Sequence, residues 1–279
     1  RMLDGVGEAG RWLPAARLNI AVSCFARPAE ASAIVYAGPD GAIQRISVGD
    51  LERRACRVAA ALRTAGFAPG DAIAIDLPMT AESVVIYLGI VLMGGAVVSI
   101  ADSFAPAEIA TRLALAEARA VFTQDVILRG DKSLPLYERV VAAGAPRTIV
   151  LAASGALKEE LRAGDMTYRD LLATVPENVS FEPYICAPES PTNILFSSGT
   201  TGDPKAIPWS HITPIKSAAD GWAHHDIRVG DVVVWPTNLG WMMGPWLIYA
   251  SLLNGATIGL FEGSPLGRPF GAFVRDAEV

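Results

Sequence analysis

"ISVGDLERRACRVAAALRTAGFAPGDAIAIDLP", residues 46–78, contains a complete helix and the buried strand that follows it. Ser47 stands three residues before Asp50, the spacing at which a serine hydroxyl accepts an exposed N–H of the first helical turn. Leu51, Ala55, Val58, Ala59 and Leu62 then recur at helical spacing, and Gly66 supplies the stop. "AIAIDL" (72–77) follows as a short apolar run of strand length. A helix that hands over to a continuously apolar strand is part of a βαβ unit, whose sheet is covered on both faces.

The pattern continues outward. Thr80 caps the next helix, Gly94-Gly95 ends it, and "AVVSI" (96–100) is the next strand. Ala105–Ala118 reads as a helix and "AVFTQD" (120–125) as a strand. Later strands are "RTIVLAA" (147–153), "NILF" (193–196), "DVVVWPT" (231–237) and "ATIGLF" (256–261). This alternation predicts an α/β fold with doubly wound, largely parallel sheets. An apolar helix, a Gly-Ala step and a strand occur together at Leu92–Ile100 and again at Leu252–Leu260, which predicts two similar α/β subdomains. The stretch from Gly155 to Pro191 is more polar and less periodic, and reads as a connection. The expected division is a lead-in over residues 1–30, a first subdomain with its connection over 31–190, and the start of a second over 191–279.

With 279 residues, 51% of them hydrophobic, the chain can bury a large core. The net charge of −6, 19% charged residues and no basic block argue against disorder and against non-specific nucleic-acid binding. An anion would have to be held by local donors. Three cysteines (Cys24, Cys56, Cys186) and three histidines (His211, His224, His225) lack ligand-like spacing, so no metal site is expected, and the reading is a reducing compartment, the cytoplasm or an organelle such as the peroxisome. Ser83–Ala101 and Val232–Phe261 carry no charge, but Gly94-Gly95 splits the first and Pro236, Asn238, Pro245, Asn254 and Gly255 break the second. Both read as buried helix followed by buried strand, not as membrane spans. The first residues hold no apolar run of signal-peptide type. Arg1 in place of a methionine, and an end at "FVRDAEV" without a turn signal, lead to the expectation of a piece of a longer protein.

"ILFSSGTTGDPKAIP" (194–208) concentrates small, polar and flexible residues after an apolar strand. In open α/β sheets, ligands bind outside the carboxyl ends of the strands. Gly199 and Gly202 let the backbone turn its N–H groups inward, Ser197, Ser198, Thr200 and Thr201 add hydroxyl donors, and Lys205 adds a positive charge. That donor set suits a polyphosphate. A solvated turn can have similar composition, but the donor density and the lysine favour the anion. It is not a Walker A loop, because the GxxxxGK[ST] spacing is absent.

"LFSSGTTGDPKAIPWSH" resembles the phosphate-binding signature of the adenylate-forming (AMP-binding) superfamily, which includes acyl-CoA synthetases, luciferases and peptide-synthetase adenylation domains. Asp203, commonly basic there, and Ala206, commonly glycine, depart from it. "LNIAVSCF" (18–25), "LMGGAVVSI" and "TNLGWMMGPWLIYASLLNGATIGLFEGSP" resemble acetyl-CoA synthetases in particular, so the likeness extends over nearly the whole chain. It implies ATP, Mg²⁺ and CoA as substrates and activating ion, and a small carboxylic acid of acetate-like size. It also implies an acyl pocket at Gly240, Trp241, Met242 and Met243, although Met242 stands where that branch has a smaller β-branched residue. "QDVILRGDKSLPL" (124–136) resembles the loop that holds the CoA 3′-phosphate, which implies that role for Arg129 and Lys132; an ordinary solvated loop fits the same residues. The adenine, ribose and magnesium motifs and the catalytic lysine of the superfamily are absent before Val279, so this stretch is expected to hold no catalytic residue and to be inactive alone. Two other functions stay open, an adenylating enzyme that serves a carrier protein and a non-catalytic nucleotide-binding module.

Overall fold

The computed structural model describes residues 2–5, 10–38, 41–129, 132–157, 160–198 and 202–279, without the side chains of Arg129 and Lys132. A small hairpin, β1 (Leu3–Asp4) with β2 (Arg11–Trp12), and a single turn α1 (Ile20–Ser23) lead in. An antiparallel pair follows, β3 (Ser32–Ala37) and β4 (Ile43–Ser47). The alternating run is α2 (Val48–Thr64), β5 (Ala72–Asp76), α3 (Ala81–Met93), β6 (Ala96–Ser99), α4 (Pro106–Leu115) and β7 (Ala120–Gln124). The hairpin β8 (Val126–Arg129) and β9 (Lys132–Pro135) interrupts it before α5 (Tyr137–Ala142), β10 (Arg147–Leu151), β11 (Met166–Thr167) and α6 (Tyr168–Ala173). The last part holds β12 (Pro191–Phe196), β13 (Ala206–Ser210), α7 (Thr213–His224), β14 (Val232–Val234), α8 (Met243–Leu252), β15 (Thr257–Phe261) and α9 (Arg268–Asp276).

Local chemistry sets the helix ends. The Ser47 hydroxyl accepts the Asp50 N–H at 3.1 Å. Thr80 and Ser83 form a reciprocal capping box, with bonds of 3.2 and 3.0 Å. Gly94 ends α3 with φ at +91°, where a side chain would be strained and would also strike the Tyr184 ring.

The strands form a seven-stranded sheet, ordered β11-β10-β7-β5-β6-β12-β13, and a four-stranded sheet, ordered β14-β15-β3-β4. Neighbours are parallel except β12 with β13 and β3 with β4. The α/β class and the mostly parallel pairing are as expected from the sequence. The sheets do not follow the linear division at residues 190 and 191, however. Residues 191–196 join the first subdomain's sheet beside β6, while residues 32–47 complete the sheet of β14 and β15.

Helices α2, α3 and α8 fill the space between the sheets. One continuous core joins Ile73, Ile75, Val97 and Phe122 of the large sheet to Ile34, Ile258 and Leu260 of the small one. Helix α3 is therefore apolar on every side. Tyr87 on α3 meets Tyr249 on α8 edge to face, with ring centroids 5.9 Å apart. Helices α4 and α5 cover the opposite face of the large sheet, through Ile109, Leu113 and Val140, and α9 covers the outer face of the small one through Phe273.

The lead-in is anchored by polar groups. Asn19 donates to the carbonyls of Val91 and Tyr184, at 2.7 and 3.0 Å. The Ile20 N–H donates to His211 Nδ1 at 3.0 Å, so the ring proton sits on Nε2, which points at Cys186 Sγ 3.0 Å away. Burial lowers the His211 pKa to about 4. Its folded pKa thus lies below the unfolded value, so its stabilisation is complete above the ordinary histidine range and drains away as pH falls toward about 4. Between about pH 7 and pH 4, denaturant melts should lose roughly 2–3 kcal/mol more in the native protein than in His211→Asn, which keeps an acceptor for Ile20. Equal acid slopes would assign the loss to other groups.

Candidate functional site

Strand β12 runs parallel to β6, so the loop after Phe196 leaves the carboxyl edge of the large sheet. The chain returns antiparallel as β13, which makes the loop the tip of a hairpin. Its base is closed twice: the Ser197 N–H donates to the Lys205 carbonyl at 3.0 Å, and the Lys205 N–H donates to Ser197 Oγ at 2.9 Å. With its oxygen accepting that bond, Ser197 still has its own O–H to donate. Ser198, Gly202 and the Lys205 side chain are exposed. Gly199, Thr200 and Thr201 lie outside the described residues.

Asp76 ends β5 at this same edge. Burial pushes its carboxyl well above the usual carboxylate range, with the Arg139 guanidinium opposing and Asp102 reinforcing the shift. A carboxyl moved toward its neutral form weakens the negative field where an anion would approach.

The second candidate group comes from the turn before α8. Asn238 Nδ2 donates to Asp102 Oδ1, and its Oδ1 accepts the Gly240 N–H, both at 2.9 Å. Gly240 lies directly on the backbone of the segment after β6; a Cβ there would be 2.1 Å from the Ala101 nitrogen. Trp241 is about half exposed, and its ring stands edge to face on Phe104, with centroids 5.9 Å apart. Met242 is exposed and Met243, half-buried, begins α8.

Arg112 joins the two groups. Its guanidinium carbon is 4.0 Å from the Phe104 ring centroid and 5.6 Å from that of Phe196, the last residue before the Ser/Thr/Gly-rich loop. Phe104 touches Trp241 in turn. The root of residues 197–205 and the turn at 240–243 therefore meet at one edge of one sheet. Arg139 holds the intervening segment from below, donating to the Asp102 and Phe104 carbonyls at 2.8 and 3.3 Å.

Arg129 and Lys132 are register partners in the β8–β9 hairpin, which leaves the carboxyl end of β7. The sequence predicts a loop there; pairing makes it a two-stranded ribbon. Among the described residues, no group of three or more His, Cys, Asp and Glu side chains comes together as a metal site. Asp102, Phe104, Arg112 and Asn238 escape the sequence reading, because each gains its meaning from a partner far along the chain. A polar Asn238 inside an otherwise apolar stretch is the one signal that could have flagged the set.

A family model described as "AMP-binding enzyme" matches residues 22–279. Over 99% of its length the chain is 52% identical to the Arabidopsis thaliana protein named "Probable acyl-activating enzyme 17, peroxisomal". It is also 52% identical, over 99% of its length, to "Hexanoyl-CoA synthase" of Cannabis sativa. The chain covers 40% of each of these relatives. The solved structure of acetoacetyl-CoA synthetase from Streptomyces lividans matches 100% of this chain with a TM-score of 0.85 and 28% identity, and the match covers 47% of that structure.

Proposed function

Because the chain belongs to the AMP-binding enzyme family, we propose that the protein is an AMP-forming acyl-CoA synthetase for a short- to medium-chain carboxylic acid. The observation that carries this reading is the approach of the end of β12, at Phe196, to the turn at 240–243 on one sheet edge, through Arg112, Phe104 and Trp241. An acetate-sized substrate is the narrower expectation from the sequence. A relative at 52% identity is named for hexanoyl-CoA, which widens the proposed range of acids.

In this reading Ser197, Ser198, Gly199, Thr200, Thr201, Gly202 and Lys205 hold the β- and γ-phosphates of ATP, and Gly240, Trp241, Met242 and Met243 line the acid. A carboxylate oxygen attacks the α-phosphorus, and the bond to the bridging oxygen breaks to release pyrophosphate. The CoA thiolate then attacks the acyl carbonyl, and AMP leaves with the electron pair of the C–O bond. The loop acts by position and charge, aligning the α-phosphorus with the attacking oxygen. Mg²⁺ would arrive on the triphosphate, the usual way this ion enters a site that handles nucleotide phosphates. Among the described residues no helix is long and apolar enough to cross a membrane. A peroxisomal setting, as named for the Arabidopsis thaliana relative, is proposed in place of the cytoplasm.

The test is acid-dependent ATP–pyrophosphate exchange by the full-length protein, run with acetate, butanoate, hexanoate and octanoate. Exchange with at least one acid, and CoA-dependent release of AMP, is expected; exchange with none rejects the reading.

Arg129 and Lys132 are proposed to hold the CoA 3′-phosphate, a forked donor beside a point charge. The double change Arg129→Ala with Lys132→Ala should raise the KM for CoA several-fold, the effect of losing about 1 kcal/mol of charge pairing. It should spare dephospho-CoA and the exchange reaction. Equal weakening of both thiols would mean a general structural effect. No change in either would favour a carrier protein as acceptor.

A further inference from the structure

Resting on the acyl-pocket reading of residues 240–243, we propose that Asn238 and Asp102 form a positioning bracket for that pocket. The segment from Ala101 to Phe104 would be the platform against which the acid is measured. Several independent contacts converge on it. Asn238 donates to Asp102, Gly240 lies on the Ala101 backbone, and Trp241 leans on Phe104. Arg139, from the far side, grips the Asp102 and Phe104 carbonyls. Asn238, Asp102 and Arg139 need not touch the substrate; they fix where the Trp241 ring stands.

The bracket has a defined polarity. The Gly240 N–H can only donate, so it fixes the Asn238 carbonyl oxygen toward Gly240 and turns the NH₂ to Asp102. Both side chains are buried, 9% and 6% exposed, so little water can substitute for either partner. A carboxamide is the one ordinary side chain of this size that accepts from an amide and donates to a carboxylate at once. Aspartate at 238 could still accept from Gly240, but it would set two carboxylates against each other. Moving the amide to the other side, with asparagine at 102 and aspartate at 238, restores one donor and one charge between them.

That exchange is the experiment. In the full-length protein, Asn238→Asp is expected to lower kcat/KM for the preferred acid about ten- to a hundredfold, mainly through KM for the acid. KM for ATP should change far less, and longer acids should gain relative to the preferred one. Asp102→Asn keeps an acceptor for Asn238 and should lose only a few-fold. The double variant Asn238→Asp with Asp102→Asn should recover most of the loss and the original chain-length preference. A double variant no better than Asn238→Asp overturns the bracket, as does a loss that falls equally on acid and ATP. If Asn238→Asp does not fold, the double variant still decides, since the bracket requires it to fold and to act. Trp241→Ala separates the two ideas. A shifted chain-length preference in that variant together with a failed swap rejects the bracket and leaves the pocket standing. An unmodified protein that activates no acid rejects both.

Discussion

Gly240→Ala is expected to be among the most damaging single changes in this chain. The new methyl would lie 2.1 Å from the Ala101 nitrogen and 2.5 Å from the Ile100 carbonyl carbon, atoms of the backbone that cannot rotate aside. Either the turn lifts from its platform or the end of β6 shifts. Overpacking of this kind costs about 1–3 kcal/mol, and a displacement of about 1 Å at a reacting group can cost on the order of a hundredfold in rate. Acid-dependent exchange by the full-length protein should therefore fall by about that factor, with a lower melting temperature. Wild-type exchange in Gly240→Ala would show that the turn carries no part of the site.

Lys205→Ala should slow adenylation about ten- to a hundredfold, the worth of a hydrogen bond to a charged group made mainly in the transition state. The substitution is well isolated. Both bonds that close the loop use the Lys205 backbone, and alanine retains them. Ser197→Ala is the complementary change, since it removes the Oγ that accepts the Lys205 N–H while leaving the lysine charge. An unchanged kcat/KM for ATP in Lys205→Ala would refute the phosphate role of the loop.

Much of the large sheet is readable from local chemistry. Ser47, Thr80, Gly66 and Gly94 mark helix ends through bonds made within a few residues, and β5, β6 and β7 are apolar because both of their faces are covered. Strand β13 is harder to see. It contains Pro208, which a central strand would exclude, but β13 is the edge of its sheet and, among the described residues, has no further strand to receive that missing N–H. Helix α9 is hidden in the same way, its apolar side defined only by the small sheet it covers.

The site divides along the same line. Residues 197–205, the proposed anion cradle, stand out because such a site would need many donors close together in sequence. Asn238 and Asp102 lie 136 positions apart and form a single contact, so no window along the chain contains both. Phe104, Arg112 and Phe196 resemble ordinary core and surface residues until the strand order brings them side by side.

The small sheet also constrains the order in which the chain can acquire its structure. Strands β3 and β4 emerge early from the ribosome, yet the parallel partner of β3 is β15, and Thr257 Oγ1 reaches the Ser32 carbonyl across 225 positions. Until β15 is synthesised, one edge of the early hairpin has no mate and Ile34 and Val35 have no completed layer to enter. The large sheet suffers less, because β5, β6 and β7 are close in sequence. Contacts of such long span carry a loop-closure cost before they repay it. The nascent chain should thus pass through a state with a nearly formed large sheet and a waiting, adhesive hairpin, and closing the small sheet would be the slow step in folding this stretch.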